Sequence, residues 1–149
     1  MNPHPIGIFD SGLGGLSVWR EVIRLLPHES TIYFADSANC PYGGKTPEEI
    51  TRLSARITGY LLSQGCKLIV VACNTATAAA IDYLRAHYEL PFVGMEPAVK
   101  PAALDTRSGH IGVLATAGAL SRPPHQETDR PAPPGGEGVL LPRGGPVEP

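Results

Sequence analysis

Residues 68–72, Leu-Ile-Val-Val-Ala, form an unbroken apolar run that passes directly into Cys73-Asn74-Thr75. A strand apolar at every position is covered on both faces, as a central strand of a parallel sheet between helices is. Four further short runs punctuate the chain. Ile6, Ile8 and Phe9 end in Asp10-Ser11-Gly12-Leu13-Gly14-Gly15, and Thr31 to Ala35 runs into the polar loop Asp36 to Lys45. Pro91 to Gly94 is a brief strand before Glu96-Pro97, and Ile111 to Ala115 stops at Thr116. Helical spacing separates these runs. Leu16, Trp19, Ile23 and Leu26 mark one helix up to Pro27. Thr46 as N-cap, Pro47 at the first helical position and Glu49 in a capping box open a second, with Ile50, Leu53, Ile57, Leu61 and Leu62 as its apolar face and a stop near Gly65. Ala76 to about His87 favours a third. Another short helix follows Glu96-Pro97, so strand and helix alternate up to Thr116. The expected fold is α/β, an open doubly wound parallel sheet with helices on both faces.

The 149 residues suit one domain of ordinary size. Half of the 16 prolines, however, crowd into the last 29 residues, Ser121 to Pro149, together with five glycines. Such a stretch buries too little apolar surface to offset its conformational entropy. Two units are therefore expected, a folded body over 1–120 and a disordered Pro/Gly-rich tail over 121–149. A formal net charge of −2 provides no basic field for nucleic acid or an acidic membrane surface. No stretch approaches the roughly 20 apolar residues that span a bilayer. Three widely spaced cysteines, Cys40, Cys66 and Cys73, form neither a disulfide framework nor a zinc pair. The expectation is a soluble, cytoplasmic chain without a metal.

In doubly wound sheets ligands bind outside the carboxyl ends of the strands. That points to Asp10-Ser11, the loop around Pro41 to Gly43, Cys73-Asn74-Thr75, and Thr116. Helix N-termini converging there favour an anion, a small carboxylic acid in particular. The turn DSGLGG is neither GxGxxG nor GxxxxGK[ST], so a nucleotide loop is rejected. Asp10 is read either as a cap or as an acid that orders a substrate ammonium. Cys66 is read as a core residue and Cys40 as an incidental exposed thiol. Cys73, at the entrance to a helix, is either a structural cysteine or a thiol whose pKa that helix end lowers. His4, His28, His87 and His110 fall away from the carboxyl edge. A cysteine–histidine nucleophile is thus disfavoured, and proton transfer by Cys73 is favoured.

Five blocks in order carry a family resemblance: FDSGLGGLSV from Phe9, YFADSANCPYGGKT from Tyr33, VVACNTATA from Val70, VGMEPAVKPA from Val93 and IGVLAT from Ile111. Over residues 5–120 the chain resembles the first half of a bacterial glutamate racemase. The resemblance implies one lobe of a two-lobed enzyme that interconverts L- and D-glutamate without a cofactor, supplying D-glutamate for peptidoglycan. It also implies that Cys73 is one of two catalytic cysteines, that Asp10, Ser11, Tyr42, Gly43, Asn74 and Thr75 bind or position glutamate, and that the full-length family can form homodimers.

The second catalytic cysteine of that family, followed by Thr-His, has no counterpart after Leu120. The tail resembles a GC-rich coding sequence read in another frame. A frame change shortly after Thr116 to Leu120 is the expectation, with truncation, processing or a sequencing error as alternatives that leave the same protein sequence; it is tested by reading the nucleotides downstream in the other two frames. With one base, this chain alone is not expected to racemise glutamate. The alternatives are a racemase of aspartate or another small acid, or a non-catalytic fragment that binds a carboxylate or a subunit.

Overall fold

The computed structural model describes residues 3–116 and 137–142, in two units divided between Glu96 and Pro97. In the first unit the elements follow the expected alternation: β1 (Ile6–Asp10), α1 (Leu16–Leu25), β2 (Thr31–Ala35), α2 (Pro47–Ser63), β3 (Leu68–Val71), α3 (Asn74–His87) and β4 (Phe92–Gly94). A short 3-10 turn, Tyr42–Gly44, interrupts the loop before α2, and the Cys40–Pro41 bond is cis. The four strands are parallel, in the order β2-β1-β3-β4.

Strand alternation divides the side chains between two faces. Phe9, Ile69 and Val71 pack with Ile50, Leu53, Ile57 and Leu61 of α2 and Ala76, Ala80, Ile81 and Leu84 of α3. Ile6, Ile8, Val70 and Ala72 meet α1 through Val18, Trp19 and Val22. Helices thus cover both faces, as the apolar run through β3 requires. Chain direction across the sheet reverses between β1 and β3. Doubly wound sheets bind their ligands at such a switch point, beyond the carboxyl ends of the strands.

The α1 face differs from the sequence expectation. Of the expected stripe Trp19 faces the sheet, joined by Val18 and Val22, while Leu16, Ile23 and Leu26 are exposed. Both sets have helical spacing. The Trp19 indole settles the rotation by packing against Tyr33 and donating to Thr31 Oγ1 at 2.9 Å.

Helix α2 begins as expected, with Thr46 Oγ1 accepting from the Glu49 N–H at 3.2 Å. The reciprocal half of the capping box is replaced, because the Glu49 carboxylate pairs with Lys45 Nζ at 3.0 Å. The helix ends in a Schellman motif: Gly65 N–H donates to Leu62 O at 2.8 Å and Cys66 N–H to Leu61 O at 3.2 Å. Gly65 has φ +76, a backbone conformation that any side chain would strain.

The second unit contains α4 (Val99–Asp105), β5 (His110–Ala115) and β6 (Glu137–Pro142). The fifth expected strand exists, but it forms a separate two-stranded parallel sheet with β6, His110 opposite Glu137 and Ala115 opposite Pro142. The short Val139-Leu140-Leu141 run, hidden in the Pro/Gly bias, supplies that partner. The rest of the expected disordered tail lies outside the described residues. Among the described residues, no helix is long and apolar enough to cross a membrane.

Candidate active site at the carboxyl ends of β1 and β3

Backbone hydrogen bonds hold the strand exits level with one another. Ala72 N–H donates to Phe9 O at 2.8 Å, and Asp36 N–H to Asp10 O at 2.9 Å. At the end of β1, the Asp10 side chain turns under the glycine loop, and its Oδ2 accepts from Gly12 N–H at 3.2 Å and Gly15 N–H at 3.0 Å. Of the two roles expected of Asp10, the contacts are those of a cap. The carboxylate orders the whole DSGLGG turn into α1, and it is 6% exposed. Gly15 is required by close approach. A Cβ there would lie 2.7 Å from Asp10 Cβ and 2.9 Å from both Ala72 Cβ and Tyr33 Oη.

At the end of β3, Cys73 is the N-cap of α3, and its Sγ accepts from Ala76 N–H at 3.4 Å. Serine and threonine hydroxyls commonly fill this role, and here sulfur does. The thiol also donates to Ser11 Oγ at 3.6 Å, linking the two strand exits across the switch point. Asn74 and Thr75 form the first turn of α3, where backbone N–H groups point out along the helix axis. Asn74 is exposed and Thr75 buried.

The helix end does pull the Cys73 pKa down, through the Ala76 N–H, but burial outweighs it. Burial pushes the thiol above its ordinary value, and the negative charge of Asp10 adds to the rise. Hydrogen bonds from Ala76 and Ser11 pull the other way without overcoming desolvation. At rest near neutral pH, Cys73 is therefore a thiol, which is the proton-donating form.

The loop after β2 brings Tyr42 and Gly43 to the same edge. Tyr42 is 1% exposed and shares a core cluster with Cys73. Its hydroxyl donates to Asp36 Oδ2 at 2.6 Å, while Asn39 Nδ2 donates to Asp36 Oδ1 at 2.8 Å. Burial, then the bond and charge of Asp36, raise the Tyr42 pKa far above the phenol range. Since the phenol is engaged by Asp36, the loop would meet a ligand through its backbone at Tyr42 and Gly43, the latter exposed. Thr116 follows β5 in the second unit.

Sequence reasoning missed Asp36 and Tyr33. Asp36 follows β2 much as Asp10 ends β1, in FAD and IFD, a parallel that could have drawn attention to it. Tyr33 resembles any aromatic strand residue, yet its hydroxyl donates to Gly12 O at 3.3 Å. Burial and the nearby Asp10 and Cys73 push its pKa up to about 12.

Comparison with known proteins identifies the family. The Asp/Glu/Hydantoin racemase family pattern matches residues 6–130. A glutamate racemase of Herpetosiphon aurantiacus is 61% identical over 116 residues, 78% of this chain and 46% of that protein. One from Ectopseudomonas mendocina is 62% identical over 117 residues, 78% of this chain and 44% of that protein. Among solved structures, Escherichia coli glutamate racemase in complex with L-glutamate and the activator UDP-MurNAc-ala matches with TM-score 0.75 and 42% identity, covering 80% of this chain and 46% of that one. Thermus thermophilus glutamate racemase in complex with β-chloro-D-alanine matches with TM-score 0.67 and 43% identity, over 79% and 45%. The chain thus spans less than half the length of these relatives. With the family pattern spanning its sheet, its helices and the Cys73 edge, this chain belongs to the Asp/Glu/Hydantoin racemase family.

Proposed function

We propose that this chain forms the first lobe of a cofactor-independent glutamate racemase, with Cys73 moving the Cα proton on one face of the substrate. The observation that carries this reading is a buried thiol capping α3 and bonded to Ser11 across the switch point. The α-carboxylate of glutamate suits the N-terminus of α3 at Asn74 and Thr75. Its ammonium suits the Asp10 carboxylate, and Ser11 with the Tyr42–Gly43 backbone completes the pocket wall. In the forward step a Cys73 thiolate takes the Cα proton and becomes a thiol, leaving a carbanion delocalised into the substrate carboxylate. A second acid on the opposite face then delivers a proton, and inversion is complete. In the reverse direction Cys73 is the donor, the form in which it rests. Ala76 N–H and the Ser11 hydroxyl offset part of the penalty of forming a buried thiolate.

Glutamate is favoured over aspartate because the relatives and solved structures described above are named glutamate racemases. D-Glutamate production for peptidoglycan in the cytoplasm, and a homodimer in the full-length form, belong to the same proposal. The activator in the Escherichia coli structure supports the link to wall precursors.

The test is a racemisation assay with L-glutamate on three proteins: the 149-residue chain, a hybrid that continues after Thr116 with the remainder of the Herpetosiphon aurantiacus relative, and that hybrid carrying Cys73→Ser. The expected results are no turnover by the first, turnover by the second and its loss in the third. A hybrid that turns over equally well with Cys73→Ser overturns the proposal.

A further inference from the structure

We propose that Tyr33 is a positioning residue for Cys73: by holding the Gly12 carbonyl, its hydroxyl keeps the Ser11 turn against the Cys73 sulfur. The inference rests on the reading of Cys73 as the proton-transfer group and adds a residue that touches neither sulfur nor substrate. Three contacts define the linkage. Tyr33 Oη donates to Gly12 O at 3.3 Å, Gly12 N–H is held by Asp10 Oδ2 at 3.2 Å, and Ser11, between them, meets Cys73 Sγ at 3.6 Å. The turn is thereby gripped at both ends of its Gly12 residue, from β1 by a carboxylate and from β2 by a phenol.

The surroundings of Tyr33 permit little else. It lies opposite Ile8 in the parallel register, with the Trp19 ring 6.1 Å away on α1. The missing side chain at Gly15 leaves room for its hydroxyl, which would otherwise stand 2.9 Å from a Cβ. With its ionisation pushed up to about 12, the phenol remains a donor throughout the physiological range. The titratable groups facing Cys73 are Asp10 at the end of β1, Tyr33 from β2 and Tyr42 from the 3-10 turn, with Asp36 behind Tyr42. Of these, only Asp10 and Tyr33 bond to the turn that carries Ser11. Hydrogen bonds from Ser11 lower the Cys73 pKa against the effect of burial, so loosening the turn makes the thiolate harder to form.

The experiment is peptide-resolved alkylation of the 149-residue chain by iodoacetamide between pH 7 and 10.5, for wild type, Tyr33→Phe, Ser11→Ala and the double variant. Tyr33→Phe is expected to move the Cys73 midpoint upward by about half a pH unit, which lowers its rate roughly threefold at pH 8. Ser11→Ala should shift it in the same direction, and the double variant should shift no further than Ser11→Ala alone, because Tyr33 acts through Ser11. A Tyr33→Phe profile superimposed on wild type overturns the inference. So does additivity in the double variant, or a matching rise in alkylation of Cys66, which would mean general loosening of the fold. Wild-type Cys73 that shows no ionisation step would instead sink the proton-transfer reading itself.

Discussion

Cys66 and Cys73 stand at opposite ends of β3, both buried in one core cluster and both with ionisation pushed up by desolvation. What surrounds each sulfur separates them. Cys66 follows the carbonyl end of α2, where its N–H closes the Schellman motif and its Sγ would lie 3.0 Å from a Cβ at Gly7. For this thiol, burial is the whole cause of the shift. Cys73 precedes the N–H end of α3, which supplies a donor to sulfur, and Ser11, whose hydroxyl accepts from the thiol, favours the thiolate as well. Burial alone makes a cysteine inert. Burial beside donors makes a thiol whose thiolate is costly yet reachable, as proton transfer from carbon requires.

The largest expected effect separates the two sulfurs by activity. In the racemising hybrid, Cys73→Ser should reduce turnover at least a thousandfold, whereas Cys66→Ser should change it less than about threefold. Comparable losses would erase the distinction between the two ends. A second comparison concerns packing and is read by urea denaturation. Gly15→Ala at the Cys73 end meets Cβ atoms fixed by the backbone and should cost about 3 kcal/mol. Gly7→Ala at the Cys66 end meets Cys66 Sγ and the tip of Leu61, which can shift, and should cost nearer 1 kcal/mol. An inverted order would mean that the site end is the softer one.

The smallest effect is a slope with pH. Cys66, Cys73, Tyr33 and Tyr42 all ionise later when folded than when unfolded, so the unfolded chain loses its protons first. Their contribution is intact below the ordinary thiol value of 9.0 and declines above it. The Tyr33 part is lost between 10.0 and about 12. Urea midpoints should fall steadily over that interval, and Tyr42→Phe should flatten the fall while lowering stability at pH 8 by leaving Asp36 without its phenol partner. A midpoint constant up to pH 11 would contradict the buried environments assigned to these groups.

Much of this could be read from residue order. The apolar run through β3, the caps at Thr46 and Gly65 and the strand exits at Asp10 and Cys73 are local signals, because each rests on neighbours within a few positions. What escaped depends on distant neighbours. Two apolar stripes on α1 share Trp19 and the same period, and only the contacts of Trp19 with Tyr33 and Thr31 turn Val18 and Val22, rather than Leu16 and Ile23, to the sheet. Tyr33 is an ordinary strand residue until β2 lies beside β1, whereas Asp36, bonded to Asn39 and Tyr42 within its own loop, was within reach of a local reading. The net direction of the Cys73 shift is not legible in sequence: the helix end is visible there, whereas the burial that outweighs it arises only when α2 and α3 close over the sheet.

The most direct test of the central claim is protection of Cys73 by substrate. The 149-residue chain is alkylated with iodoacetamide at pH 8.5, with and without millimolar glutamate, and Cys40, Cys66 and Cys73 are quantified separately. Glutamate should slow modification of Cys73 severalfold and leave Cys66 unchanged. Equal rates at Cys73 with and without glutamate, or equal protection of both buried sulfurs, would contradict a glutamate site at the carboxyl end of β3.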